Sequence, residues 1–284
     1  MEKLLQWSIA QQSGDKEAME KIGQPDPKML EQLFGAPDEP ALMRQAISVV
    51  ENPEASDDDK LVALENFEML IENLDNANNI ENMKLWPAVI AQLLNSNVEF
   101  QVLAASIVGI ATQNNPDSQT AFLAKDNGLS KLVQLASDSA TPTSLVLKCL
   151  FAMASLVRNF QPGTEQFVKL GGLDAIKLQG SDHRMLLRKL SLLSAVLSTG
   201  LDDEKRQHIH SDKLVEQLVN VLAKDGNVGC IDKALNILTQ LNQLKFDFTP
   251  QEISQLAANL DTIEHMRDQL SHDDFDAARQ VASS

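Results

Sequence analysis

A repeat of 41 to 45 residues constrains this chain more than any other feature of its sequence. The run Gln113-Asn114-Asn115, then Phe122, then Lys125-Asp126-Asn127-Gly128-Leu129 and Ser137-Asp138, returns as Arg158-Asn159, Phe167, Lys169-Leu170-Gly171-Gly172-Leu173 and Ser181-Asp182, displaced by 44 or 45 positions. Small residues at Gly109, Ala154 and Ala195 recur at intervals of 45 and 41, and Asn73 precedes Asn114 by 41. A unit of this size cannot bury its own apolar face, so its copies must stack on one another.

Each copy reads as a short helix, a Gly-punctuated turn, a second helix, and a long third helix ending near the Asn. In the best-marked copy the short helix covers 117–125, Asn127-Gly128 makes the turn, and 129–137 forms the second helix. The third helix starts at Thr141-Pro142-Thr143, with proline at a first turn, and Leu147, Leu150, Phe151, Ala154 and Val157 follow its three- and four-residue apolar steps. The glycines suit tight helix ends that need left-handed backbone. The predicted fold is all-α: an armadillo-like right-handed solenoid of about four repeats (56–94, 95–137, 138–181, 182–222) closed by capping helices over 228–283, where Thr249-Pro250-Gln251-Glu252 marks a helix start. Three regions follow: an N-terminal arm over 1–40 broken by Gly14, Gly23, Pro25, Pro27, Gly35 and Pro37, a repeat domain over 41–222, and C-terminal caps over 223–284.

Composition agrees with helices. The 284 residues are 43% hydrophobic but only 4% aromatic, with no Tyr. A formal charge of −16 repels phosphate backbones and anionic headgroups, so neither nucleic acid nor a membrane is the expected partner. No stretch has the length and apolarity of a span, the opening MEKLLQWSIA lacks a signal-peptide core, and a cytosolic setting is expected. The charge is uneven: residues 56–82 carry eight acids and one base, whereas 142–190 carry seven bases and three acids. Such a polarity suits a protein partner with both signs on its surface.

Motifs for chemistry are missing. The chain has no phosphate loop and no Cys-x-x-Cys; Cys149 and Cys230 lie in apolar helical patterns as core residues. His208-Ile209-His210 points its rings to different sides of a helix, and Asp57-Asp58-Asp59 after Ser56 reads as a helix N-terminus. No catalytic residue, metal site or cofactor is expected, and function falls to the surface formed by the third helices.

The opening MEKLLQWSIA, the stretch GQPDPKMLEQLFG, the run FEMLIENLDNANNIENMKLW and the QNN and DNGL elements closely resemble the Fes/HspBP family, armadillo-type nucleotide exchange factors of the cytosolic seventy-kilodalton heat-shock chaperone. The likeness covers about residues 1–222, and the turn at Gly180-Ser181-Asp182-His183 is shorter than the family's. The resemblance implies a monomeric clamp: the concave face embraces one lobe of the chaperone's ATPase domain so that ADP leaves, with no nucleotide hydrolysed by the factor. It carries the partner contacts to Asn73, Asp75, Asn76, Ala77 and Asn78, to Gln113, Asn114 and Asn115, to Arg158 and Asn159, and to Arg188 and Thr199. It also implies that the arm, through Leu4, Leu5 and Trp7, competes for the chaperone's peptide site. The residues themselves allow a second role for Asn73, Asn114 and Asn159, as helix caps. Ala77 is expected at an exposed helix end.

The rival from another class is an armadillo peptide receptor such as a nuclear-import adaptor. Those adaptors pair Trp with Asn along successive third helices; here the tryptophans are Trp7 and Trp86, neither in a third helix beside the Asn row.

Overall fold

A computed structural model describes residues 38–180 and 182–283; the arm residues Leu4, Leu5 and Trp7 lie outside them. The chain divides into two compact units, 1–45 and 46–284. Helix α1 (Glu39–Glu51) contains the boundary, and every further helix belongs to the second unit.

Among the described residues the second unit is wholly helical. Helix α2 (Asp57–Leu70) is followed by triplets of two short helices and one long one: α3 (Leu74–Asn82), α4 (Trp86–Leu93) and α5 (Val98–Thr112), then α6 (Pro116–Leu123), α7 (Gly128–Ser137) and α8 (Thr143–Val157). The third triplet has α9 (Gln161–Lys169), a single 3-10 turn (Gly172–Ile176) and α10 (His183–Leu197). The fourth has α11 (Asp203–Ser211), α12 (Leu214–Val221) and α13 (Val228–Gln243), before α14 (Pro250–Ile263), a 3-10 turn (Glu264–Gln269) and α15 (His272–Ala282). Contacts pass along one row of long helices, α2 to α5, α8, α10, α13 and α15. This is the helical solenoid that the period requires.

Helix starts follow local chemistry. The Ser56 hydroxyl accepts from the Asp59 amide at 3.1 Å while Asp57, Asp58 and Asp59 sit at the positive end of α2. Thr249 and Glu252 close a capping box at α14.

The row of long helices runs on past 222, with the sixteen-residue α13 stacked on α10. One expectation changes. The third triplet has no regular second helix: only a 3-10 turn stands between Gly171 and Gly180, whose φ values are 72° and 71°. Leu173, Ala175, Ile176 and Leu178 are buried there, and the amides of Leu178 and Gln179 donate to Gln217 Oε1 on α12, at 3.0 and 3.3 Å.

The left-handed residue stands one position before Gly128 and Gly172. Left-handed backbone opens the second helix, or the 3-10 turn of the third triplet, at Lys84, Asn127, Gly171 and Lys213 (φ 50–72°), and the next residue in two of these turns is Gly128 or Gly172. Those two glycines make room for a ring: a Cβ on Gly128 would stand 2.6 Å from Phe122, and one on Gly172 would stand 2.2 Å from Phe167. The recurring Phe and Gly are one packing device.

Candidate functional site

The long helices carry a polar chain across successive triplets. The Ser106 hydroxyl on α5 donates to the Glu68 carboxylate on α2 and accepts from the Lys148 ammonium on α8, at 2.8 Å for the latter. One helix further, the Arg188 guanidinium on α10 lies 5.1 Å above the Phe151 ring of α8. That ring fills the space over Gly109 of α5, where a Cβ would stand 2.4 Å from it. Gly109 therefore admits a ring, and the ring supports the cation. Val102, Leu147, Leu187, Arg184 and Arg188 line a groove of about 530 Å³ here, and both arginines and Leu187 are exposed. Acid on α2 thus gives way to base on α8 and α10.

The expected contact residues fall mainly along one edge, where the long helices end. Glu72, Leu74, Gln113 and Asn114 line one hollow of about 450 Å³. Arg158 donates to the Ser191 carbonyl at 3.1 Å, and the Asn159 amide donates to the Ser198 hydroxyl at 2.8 Å. Burial holds the Arg158 guanidinium below the usual arginine range. Burial lowers Lys233 on α13 too, followed by the charge of Arg158, while Asp274 and Asp232 pull it upward. Thr199 donates to the Val196 carbonyl at 3.0 Å and accepts from Lys205 at 3.2 Å.

These residues divide into exposed and internal ones. Asn73, Asp75, Gln113, Asn114, Asn159 and Arg188 are exposed; Asn78, Arg158 and Thr199 are half-buried. Asn114 and Asn159 also take left-handed backbone (φ 52° and 53°) just after α5 and α8, and Asn73 caps α3 by accepting from the Asp75 amide at 2.9 Å. The other three are internal, with Asn76, Ala77 and Asn115 each 3% exposed. Asn76 donates to the Leu70 carbonyl at 2.8 Å. Asn115 donates to Asn78 and Ser118, both at 2.9 Å, and the Ser118 hydroxyl donates to the Ala77 carbonyl at 3.3 Å. The expected exposed helix end at Ala77 is corrected: α6 of the next triplet covers it, leaving no surface there for a partner.

Sequence reasoning placed Phe151 in the core pattern and gave Glu68, Ser106 and Lys148 no part in a polar chain, although each lies on a long helix that the period locates. The histidine pair behaves as its spacing implies, with His210 stacked on Phe246 at 4.6 Å and His208 turned away toward Asp212. Trp86 opens α4 and is buried edge-on against Phe122 at 5.2 Å, so it cannot serve a peptide groove. Among the described residues no helix is long and apolar enough to cross a membrane.

Comparison with known proteins agrees with this fold. Residues 1–80 match the family model "Nucleotide exchange factor Fes1", and residues 76–217 match the "SIL1/FES1/HPBP1 C-terminal domain". The chain is 55% identical to the Hsp70 nucleotide exchange factor FES1 of Scheffersomyces stipitis and 49% identical to that of Candida albicans, covering all of both chains in each case. Identity to the FES1 of Saccharomyces cerevisiae is 44%, over 99% of this chain and 100% of the relative. Among solved structures, a designed armadillo repeat protein superposes with a TM-score of 0.68 at 13% identity, covering 85% of this chain and 98% of its own. A second, solved with the peptide (KR)4, gives 0.67 at 14% identity, over 84% and 99%. Both show the fold.

Proposed function

The chain belongs to the Fes1 family of Hsp70 nucleotide exchange factors, and from that membership we propose that its third-helix face holds the ATPase domain of the cytosolic seventy-kilodalton chaperone and promotes ADP release. The observation that carries this reading is the ordered set of charges along the row of long helices, Glu68 on α2, Lys148 on α8 and Arg188 on α10, each held by a side chain of the adjacent long helix. A partner lobe spanning several triplets meets side chains already fixed in place, so less ordering entropy opposes binding. Arg158, Gln113, Asn114 and Asn159 extend the contact along the helix ends, with Asn73, Asp75 and Thr199 beside them. Asn76, Ala77 and Asn115 support that edge from within.

Exchange follows from differential affinity. A factor that binds the nucleotide-free chaperone more tightly than the loaded form must lower the affinity for ADP by the same factor. It hydrolyses nothing itself, and it acts as a monomer away from nucleic acid and membranes. The N-terminal segment, through Leu4, Leu5 and Trp7, aids discharge of bound peptide.

The test mixes the full chain with chaperone loaded with fluorescent ADP. Substoichiometric factor accelerates release without consuming nucleotide, and removing residues 1–35 slows peptide discharge while leaving ADP release intact. An unchanged ADP release rate at saturating factor overturns the proposal.

A further inference from the structure

Away from the long-helix face, three donor side chains converge where the third triplet meets the fourth. Asp174 stands on the 3-10 turn; His208 lies on α11, and Asp212 ends that helix. One ligand atom from each lies within 4.8 Å of the others. His208 Nε2 and Asp212 Oδ2 are 3.7 Å apart, within ion-pair range when the imidazole is protonated but too far for a hydrogen bond, and neither buried atom has a hydrogen-bond partner. Buried polar atoms are almost always satisfied, and two unsatisfied atoms facing one another ask for a third species between them. The hollow beside them, about 330 Å³, is also lined by Glu204 and Ser211.

We propose that Asp174, His208 and Asp212 bind one divalent transition-metal ion, zinc by the chemistry of the donors. An imidazole nitrogen with two carboxylates suits zinc, whose ligand bonds of about 2.0–2.2 Å place neighbouring donors a little over 3 Å apart. The 3.7 Å separation of Nε2 and Oδ2 is near that value, and the exposed Asp174 carboxylate closes the remaining distance by side-chain rotation. Glu204, one turn before His208, or a water takes the fourth position. The site draws ligands from consecutive triplets, so the ion fastens α11 to the 3-10 turn, where the third triplet lacks its second helix. A chelating His208-Ile209-His210 pair is a different site, and the stacking of His210 on Phe246 rules it out.

The experiment uses the full chain, stripped with chelator and titrated calorimetrically with zinc chloride. One ion binds per chain and raises the melting temperature; cobalt(II) in its place shows the intense visible bands of a four-coordinate ion. Asp174→Ala and His208→Ala each weaken uptake at least tenfold and abolish the melting shift, whereas His210→Ala and His265→Ala change neither. Asp174 is exposed, so its variant keeps the test decisive if His208→Ala fails to fold. No zinc uptake, uptake unchanged by both variants, or equal binding of magnesium overturns the proposal.

Discussion

Ala77 lies beneath Ser118 with 3% of its surface exposed, so Ala77→Arg forces a long cation into a filled space. Overpacking and an unpaired buried charge together cost about 3 kcal/mol or more, measured as a lower urea midpoint. An unchanged midpoint would show that the α3–α6 contact is absent in solution. Arg188 gives the opposite result. Arg188→Ala removes an exposed cation from an aromatic face, lowering stability by no more than about 1 kcal/mol, while chaperone affinity falls, with the larger loss at low salt. The thiols report on the core: burial pushes Cys149 up to about 12 from 9.0, and burial raises Cys230 as well. The folded chain then keeps a proton that the unfolded chain releases, so this contribution is whole below pH 9 and fades as pH rises toward 12. At pH 8 neither thiol reacts with a disulfide reagent until the protein unfolds; fast labelling of the native chain would contradict this. Identity alone could not sort these residues, because the surface left on Ala77, Asn76 and Asn115 depends on contacts with a neighbouring copy. Glu68, Ser106 and Lys148 were hidden for a related reason, since their hydrogen bonds join positions 38 and 42 residues apart.

At the scale of elements, two left-handed residues recur at matching places in each triplet, and the third triplet adds Gly180. One opens the second helix, or in the third triplet the 3-10 turn, at Lys84, Asn127, Gly171 and Lys213, and one follows the third helix, at Asn114, Asn159, Gly200 and Lys245. Lysine adopts this backbone at a cost of about 1–2 kcal/mol, partly offset because glycine loses more entropy on folding. Lys213→Gly and Lys245→Gly are therefore expected to stabilise the fold by about 0.5–1 kcal/mol each in urea unfolding, and Asn114→Ala to destabilise it by about 1 kcal/mol. A loss of stability in the glycine variants would deny the left-handed geometry. The same ladder explains what was legible. Where the positions hold Asn or Gly, the period was plain and the helices followed. Lys84 and Lys213 lie inside repeats that the flanking pattern still marked, whereas at Lys245 no turn-forming residue marks a further joint. The missing second helix of the third triplet was obscured because Gly171-Gly172-Leu173 imitates the Asn127-Gly128-Leu129 of the second.

For the molecule as a whole, charge is arranged by position along the stack. The −16 total coexists with a basic centre on α8 and α10, so added salt screens attraction to an acidic partner surface at the centre and repulsion elsewhere. Lys148→Glu reverses the middle of the polar chain without touching the apolar core. It is expected to slow association with the chaperone at least tenfold at low salt, read by stopped flow, while the circular dichroism spectrum stays the same. An unaltered association rate would place the partner elsewhere. The ladder of left-handed residues has a further consequence for the length of the molecule. Asn114 and Asn159 share a backbone conformation and a place in the repeat, so a chain spliced from Asn114 directly to Phe160 keeps its joints in phase while losing one whole storey. Such a protein has a shorter arc, a gauge with one graduation removed, and its partner would find every remaining mark intact but set at the wrong distance.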